Sequence, residues 1–271
     1  MPMFKIDDKS MHYLDVGEGE VLLFGHSYLW DSEMWRAQVD VLSKQYRCIV
    51  PDFWAHGQSD FHPSSMSNLT DYANHMILLM DHLNIEQFSI VGLSVGGMWG
   101  AELVALVPHR VKSLVLADTF VGLEPEVNHN KYFAMLNTIT ANKSIPPAML
   151  EQVVPIFFSR QSVELKMDYV AAFRSYLETI SGDKATEIAE IGKMIFGRRD
   201  MCDEVEKFAL PTLILVGSED NPRPVLESYL MNDLISGSEL VIIPQAGHIS
   251  SVEQPHLVTE TLERFFSNIY S

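Results

Sequence analysis

Cysteine is nearly absent: only Cys48 and Cys202 occur in 271 residues. So few cysteines exclude a disulfide framework and point to a reducing compartment. Cys48 lies in the apolar stretch Arg47-Cys48-Ile49-Val50 and reads as a buried strand residue. Positive charge is also scarce, with 19 Lys and Arg against 36 Asp and Glu and a formal net charge of −17. A surface of that sign repels phosphate backbones, so neither nucleic acid nor an anionic membrane is an expected partner. No window approaches 18 consecutive apolar residues, and the opening Met1–Ser10 stretch lacks the apolar core of a secretory signal. A cytoplasmic protein without a membrane span is the expectation. Neither H-x-H nor H-E-x-x-H occurs. No metal or other cofactor is therefore expected.

What the chain does have is 47% hydrophobic residues with 20% charged, the balance of a protein that buries a core. Internal repeats and low-complexity tracts are absent. Residues 4–24 read as two strands joined in a hairpin at Gly17-Glu18-Gly19-Glu20. Short apolar runs then recur at 21–24, 48–50, 88–91, 111–117, 212–216 and 240–243. Continuous runs of this kind suit parallel strands buried on both faces. Amphipathic segments at 69–83, 98–107 and 255–269 predict helices between and after them. Strands alternating with helices make an α/β protein with a mostly parallel sheet. Residues 121–206 break the rhythm, with many helix formers, scattered Phe and Met, and no clear strand. The division expected is a core of residues 1–120 and 207–271, interrupted by a helical cap at 121–206. An ordinary helical layer would carry the same composition, but the strand pattern resumes at Thr212 as if interrupted.

The sequence Gly92-Leu93-Ser94-Val95-Gly96-Gly97 follows one apolar run and precedes a helix. A serine on a tight strand-to-helix turn is strained and held clear of the sheet. Glycines two residues to either side remove the side chains that would obstruct it. The positive end of the following helix favours negative charge there. Ser94 is therefore the candidate nucleophile.

A serine hydroxyl needs a base, and the base needs an orienting acid. The strand at 212–216 leads into Gly217-Ser218-Glu219-Asp220, and the last strand into Gln245-Ala246-Gly247-His248. Both follow the carboxyl ends of parallel strands, where open α/β sheets place ligands. His248 is preferred over His26 and His56, because it follows the acid and precedes a helix signal. Asp220 is the first choice of acid; Glu219 and Asp118, which closes another strand, are the alternatives.

These residues resemble an α/β-hydrolase-fold serine esterase of the aryl-esterase, non-heme haloperoxidase (perhydrolase) and enol-lactonase branch. The resemblance runs through Asp15–Gly19, Trp35, Asp52–Ser59, Gly92–Gly97, Asp118-Thr119, Gly217–Asp220 and Gly247-His248 with Glu253 and Pro255. It implies an eight-stranded, mostly parallel sheet flanked by helices with an inserted cap, and a triad of Ser94, Asp220 and His248. It also implies an oxyanion hole formed by the backbone N–H groups of Val95 and Tyr28. Two loops depart from the family's pattern. Ser27 stands where glycine is usual, and Ala55 replaces a glycine beside Trp54, where arginine is frequent.

The expected chemistry is hydrolysis of a small acyl or aryl ester through an acyl-enzyme. Lactonase, perhydrolase and carbon–carbon bond hydrolase activities use the same triad, and a non-catalytic ligand-binding protein is the contrasting class. The partner expected is a small-molecule ester, with self-association into a homo-oligomer left open.

Overall fold

The computed structural model describes residues 2–270. Its first two strands, β1 (Met3–Ile6) and β2 (Lys9–Val16), pair antiparallel around the two-residue turn Asp7-Asp8. Asp7 takes the left-handed φ of 53° that such turns require. Next come β3 (Glu20–Gly25), a 3-10 turn at Ser32–Trp35, α1 (Arg36–Leu42), β4 (Tyr46–Pro51) and α2 (Leu69–His82). The central units are β5 (Phe88–Leu93), α3 (Val95–Leu106) and β6 (Val111–Ala117).

The strands form one eight-stranded sheet in the order β1-β2-β4-β3-β5-β6, continued by β7 (Thr212–Gly217) and β8 (Glu239–Ile243). Every pairing from β4 onward is parallel, and only the β1–β2 and β2–β4 ladders run antiparallel. The expected hairpin at Gly17–Glu20 does not form: that turn joins β2 to β3, but β4 lies between them. The reason is burial. Five of the six β3 residues are buried, so the strand needs parallel neighbours on both edges and finds them in β4 and β5. All six residues of β5 and of β7 are likewise buried.

Six helices separate β6 from β7: α4 (Glu126–Asn142), α5 (Pro147–Ile156), α6 (Arg160–Glu164), α7 (Asp168–Thr179), α8 (Gly182–Phe196) and α9 (Cys202–Val205). After β7 come α10 (Val225–Leu234), then α11 (Ser250–Glu253) and α12 (Pro255–Ile269) beyond β8. In α12 the buried side chains Val258, Leu262, Phe265 and Phe266 share one face, while His256, Glu260 and Arg264 face outward at four-residue spacing. By contrast, α3 is buried at every position from Val95 to Val104, as suits a helix between the sheet and other helices. Among the described residues no helix is long and apolar enough to cross a membrane.

Candidate active site

The carboxyl ends of β5, β7 and β8 converge, and each delivers one side chain. At the end of β5, Ser94 is the N-cap of α3 and takes φ 56°, ψ −117°. A non-glycine residue held there costs about 1–3 kcal/mol, and its surroundings fix it. Its N–H donates to the Ala117 carbonyl at 2.9 Å, and its own carbonyl accepts from Gly97 N, Met98 N and the Thr119 hydroxyl. The flanking glycines are required by contact. A Cβ on Gly92 would lie 2.3 Å from the Gly96 carbonyl, and one on Gly96 would lie 2.2 Å from the Gly25 oxygen. The turn can close only because strand and helix backbones approach without side chains between them.

His248 Nε2 lies 2.9 Å from Ser94 Oγ. Its other ring nitrogen, Nδ1, lies 3.0 and 3.1 Å from the two oxygens of Asp220. All three residues are buried. Asp220 also accepts the Arg223 backbone N–H at 2.8 Å, which fixes the carboxylate plane. Neither rival acid meets the imidazole. Asp118 takes the Gly217 N–H at 2.7 Å and the Ser250 hydroxyl at 2.5 Å, bridging the loops that carry Asp220 and His248. Burial, and after it the nearby Asp220 charge, push the Asp118 carboxyl well above the usual carboxylate range. Glu219 instead accepts the Arg160 N–H at the start of α6.

A family model described as alpha/beta hydrolase fold matches residues 20–255. The chain belongs to the α/β-hydrolase family. It is similar to 3-oxoadipate enol-lactonase 2 of Acinetobacter baylyi, 23% identical over 285 residues that span 98% of this chain and 100% of that protein. An uncharacterized carboxylesterase, nap, of Bacillus subtilis is 26% identical over 252 residues, 91% of this chain and 79% of its own length. A thermophilic esterase from Thermogutta terrifontis shares the fold, with a TM-score of 0.88 at 24% identity, covering 97% of this chain and 95% of that one.

In this hydrolase the loop after β3 runs beside Ser94, and two buried histidines hold it. His26 Nε2 accepts the Phe53 N–H at 2.7 Å while Nδ1 meets the Ser27 carbonyl at 2.8 Å. His56 Nε2 accepts the Leu29 N–H at 3.1 Å while Nδ1 meets the Trp54 carbonyl at 2.8 Å. Both rings thus serve the loop, accepting on one side and donating on the other. Burial pushes the His26 pKa down and the His56 pKa to about 3, so neither charges near neutral pH. Ala55 adopts φ 60° at the position where the family has glycine, so the turn keeps its left-handed shape despite the methyl group. Ser27 is not among the positive-φ residues, so serine in place of glycine brings no strain of that kind. The Tyr28 and Val95 N–H groups have no protein hydrogen-bond partner among the described residues. Val95 is the first residue of α3, where a free N–H belongs to the helix geometry.

Ser94, His248 and Tyr28 line an apolar cavity of about 90 Å³. Its walls come mainly from α4, α5 and α8, through Leu136, Ile139, Met149, Val153 and Ile195 among others. Tyr28 ties this wall to the core, its hydroxyl donating to the Ile188 carbonyl at 2.7 Å. Trp30 stacks on Phe173 of α7 at 4.7 Å, and Phe157 sets its ring edge-on to His248 at 5.5 Å.

Two features escape a reading of the sequence. One is Glu253, which stands there only as part of a motif. Its carboxylate accepts the Gly247 N–H at 2.6 Å, beside His248, and also the Ser159 N–H and the Ser159 and Ser162 hydroxyls. It therefore ties the histidine loop to the junction of α5 and α6. The other is an ion cluster under the pocket. Arg223 Nη2 donates to both oxygens of Glu124 at 2.6 Å, and Arg198 Nη1 reaches the same carboxylate at 2.9 Å. No local pattern links positions 124, 198 and 223, so only the fold could reveal it.

Proposed function

We propose that this chain is a serine carboxylester hydrolase that acts on small acyl or aryl esters through an acyl-enzyme on Ser94. The observation that carries this reading is the hydrogen-bonded series Ser94 Oγ, His248 Nε2, His248 Nδ1, Asp220. His248 takes the serine proton as Oγ attacks the ester carbonyl, and Asp220 orients the ring and stabilises the imidazolium. The Val95 and Tyr28 N–H groups are the candidate donors to the oxyanion. His248 then gives its proton to the departing alcohol. Water, deprotonated by the same imidazole, attacks the acyl carbonyl and releases the carboxylic acid and Ser94. We read the helices between β6 and β7 as a cap over the acyl pocket.

A lactone is an internal ester and passes through the same steps, and the enol-lactonase name of one relative supports testing that class. The decisive experiment is a burst of p-nitrophenol from p-nitrophenyl butyrate, with and without hydrogen peroxide as competing nucleophile, beside acid release from lactones. Ser94→Ala is expected to lower kcat about 10³-fold or more. Unchanged turnover in Ser94→Ala would remove Ser94 as the nucleophile, and no turnover in the wild type would make the chain a binding protein on a hydrolase fold.

A further inference from the structure

We propose that the substrates of this site are uncharged esters and lactones, and that a carboxylate on the acyl part is rejected because the guanidinium on the pocket wall is already neutralised from inside the protein. This rests on the ester-hydrolase reading above and narrows it.

Arg223 is the one lysine or arginine on the cavity wall among the described residues. An arginine at that place invites the opposite reading, a clamp for an anionic substrate. The hydrogen bonds decide against it. Arg223 Nη2 gives two 2.6 Å bonds to Glu124, and Nη1 faces Glu227 at 3.4 Å. The Arg223 and Glu124 side chains are only 3% and 1% exposed, so the pair is locked rather than resting at a surface. Glu124 also binds Arg198, which does not contribute to the cavity wall. The cluster therefore holds two arginines against two glutamates. Burial pushes the Glu227 carboxyl up to about 7, so the cluster is balanced above that pH.

An incoming carboxylate has two choices in such a site. Displacing Glu124 from Arg223 would cost that buried carboxylate two 2.6 Å bonds and leave it with Arg198 alone, and breaking a buried pair in that way is unfavourable. Remaining unpaired among Ile139, Met149 and Ile195 would strip the anion of water with nothing in exchange. A neutral acyl chain meets neither obstacle. The Tyr132 hydroxyl, also on the wall, has its pKa raised by burial and suits an ester or ketone oxygen.

The test isolates charge from size. The two substrates are the p-nitrophenyl monoester of glutaric acid and the same molecule with its free carboxylate capped as a methyl ester, assayed at pH 8 beside p-nitrophenyl butyrate. The capped ester is expected to exceed the charged one in kcat/KM by roughly 100-fold or more. Equal rates, or a faster charged ester, would overturn the proposal. So would rejection of both glutarates, because length rather than charge would then decide. Failure on butyrate as well would instead remove the underlying esterase reading. Glu124→Gln frees one arginine charge and is expected to shrink the capped-to-charged ratio about tenfold. An unchanged ratio in a variant that stays folded by circular dichroism argues against neutralisation by Glu124. If that variant does not fold, the substrate pair on the wild-type enzyme still decides.

Discussion

Asp118 stands one strand away from the acid that meets the imidazole, and its task differs because its surroundings differ. Buried among Gly217, Ser250 and Asp220, it is held well above the usual carboxylate range, whereas in the unfolded chain it ionises near 3.8. The folded state thus keeps a proton that the unfolded state gives up. The stability linked to Asp118 is present below pH 3.8 and is lost as pH rises through the raised value. Asp118→Asn keeps the shape without the charge and is expected to flatten that alkaline decline in urea midpoints. Asp118→Ala, leaving the Gly217 N–H unpaired, is expected to cost about 1–3 kcal/mol at acid pH and less as pH rises. The histidines act in the opposite direction. His26 and His56 stay neutral when folded but charge near 6.5 when unfolded, so stability falls as pH drops below 6.5, toward about 3 for His56. His56→Gln should unfold at lower urea at pH 7 yet show a shallower acid slope than wild type. Ser94, Asp220 and His248 are legible in the sequence because each ends an apolar run on a glycine-containing turn. Asp118 stays a rival to the preferred Asp220 in the sequence, since two strand ends 102 positions apart look alike until the ring's direction is known.

At the scale of elements, apolar runs announce six strands, although β8 at the sheet edge buries only Ile243 rather than both its faces, and the 255–269 helix lies where its periodicity places it. The first hairpin differs from expectation for a physical reason: a Gly-Glu-Gly-Glu turn says that the chain reverses, not which strand lies next to it. Pairing order is set by how many faces and edges a strand must bury, and β3 must bury all of them. The junction of β5 with α3 offers the clearest element-level test. Gly96→Ala would press a methyl group against the Gly25 carbonyl of β3, where backbone rather than a flexible side chain must yield. Overpacking of this kind typically costs about 1–3 kcal/mol or more. The expected result is a lower urea midpoint together with loss of ester turnover. Native stability and turnover in that variant would mean that strand and helix have room to part.

Across the whole molecule the net charge of −17 sets how substrates arrive. Repulsion between that field and an anionic ester is weakened by salt, while a neutral ester does not feel it. Raising ionic strength from about 0.02 to 0.2 M is expected to increase kcat/KM for the charged glutarate monoester several-fold and leave butyrate unchanged. A charged ester indifferent to salt would place its rejection wholly in the pocket. The carboxylate of Glu253 grips Gly247 on one side and Ser159 on the other. Because that grip links the junction of α5 and α6 to the histidine loop, under the proposed esterase reading a bulky acyl group that pushes those helices outward would also pull on the backbone beside His248. Room for the guest and alignment of the proton carrier are then geared against each other. Oversized esters would bind and wait rather than be turned away at the entrance.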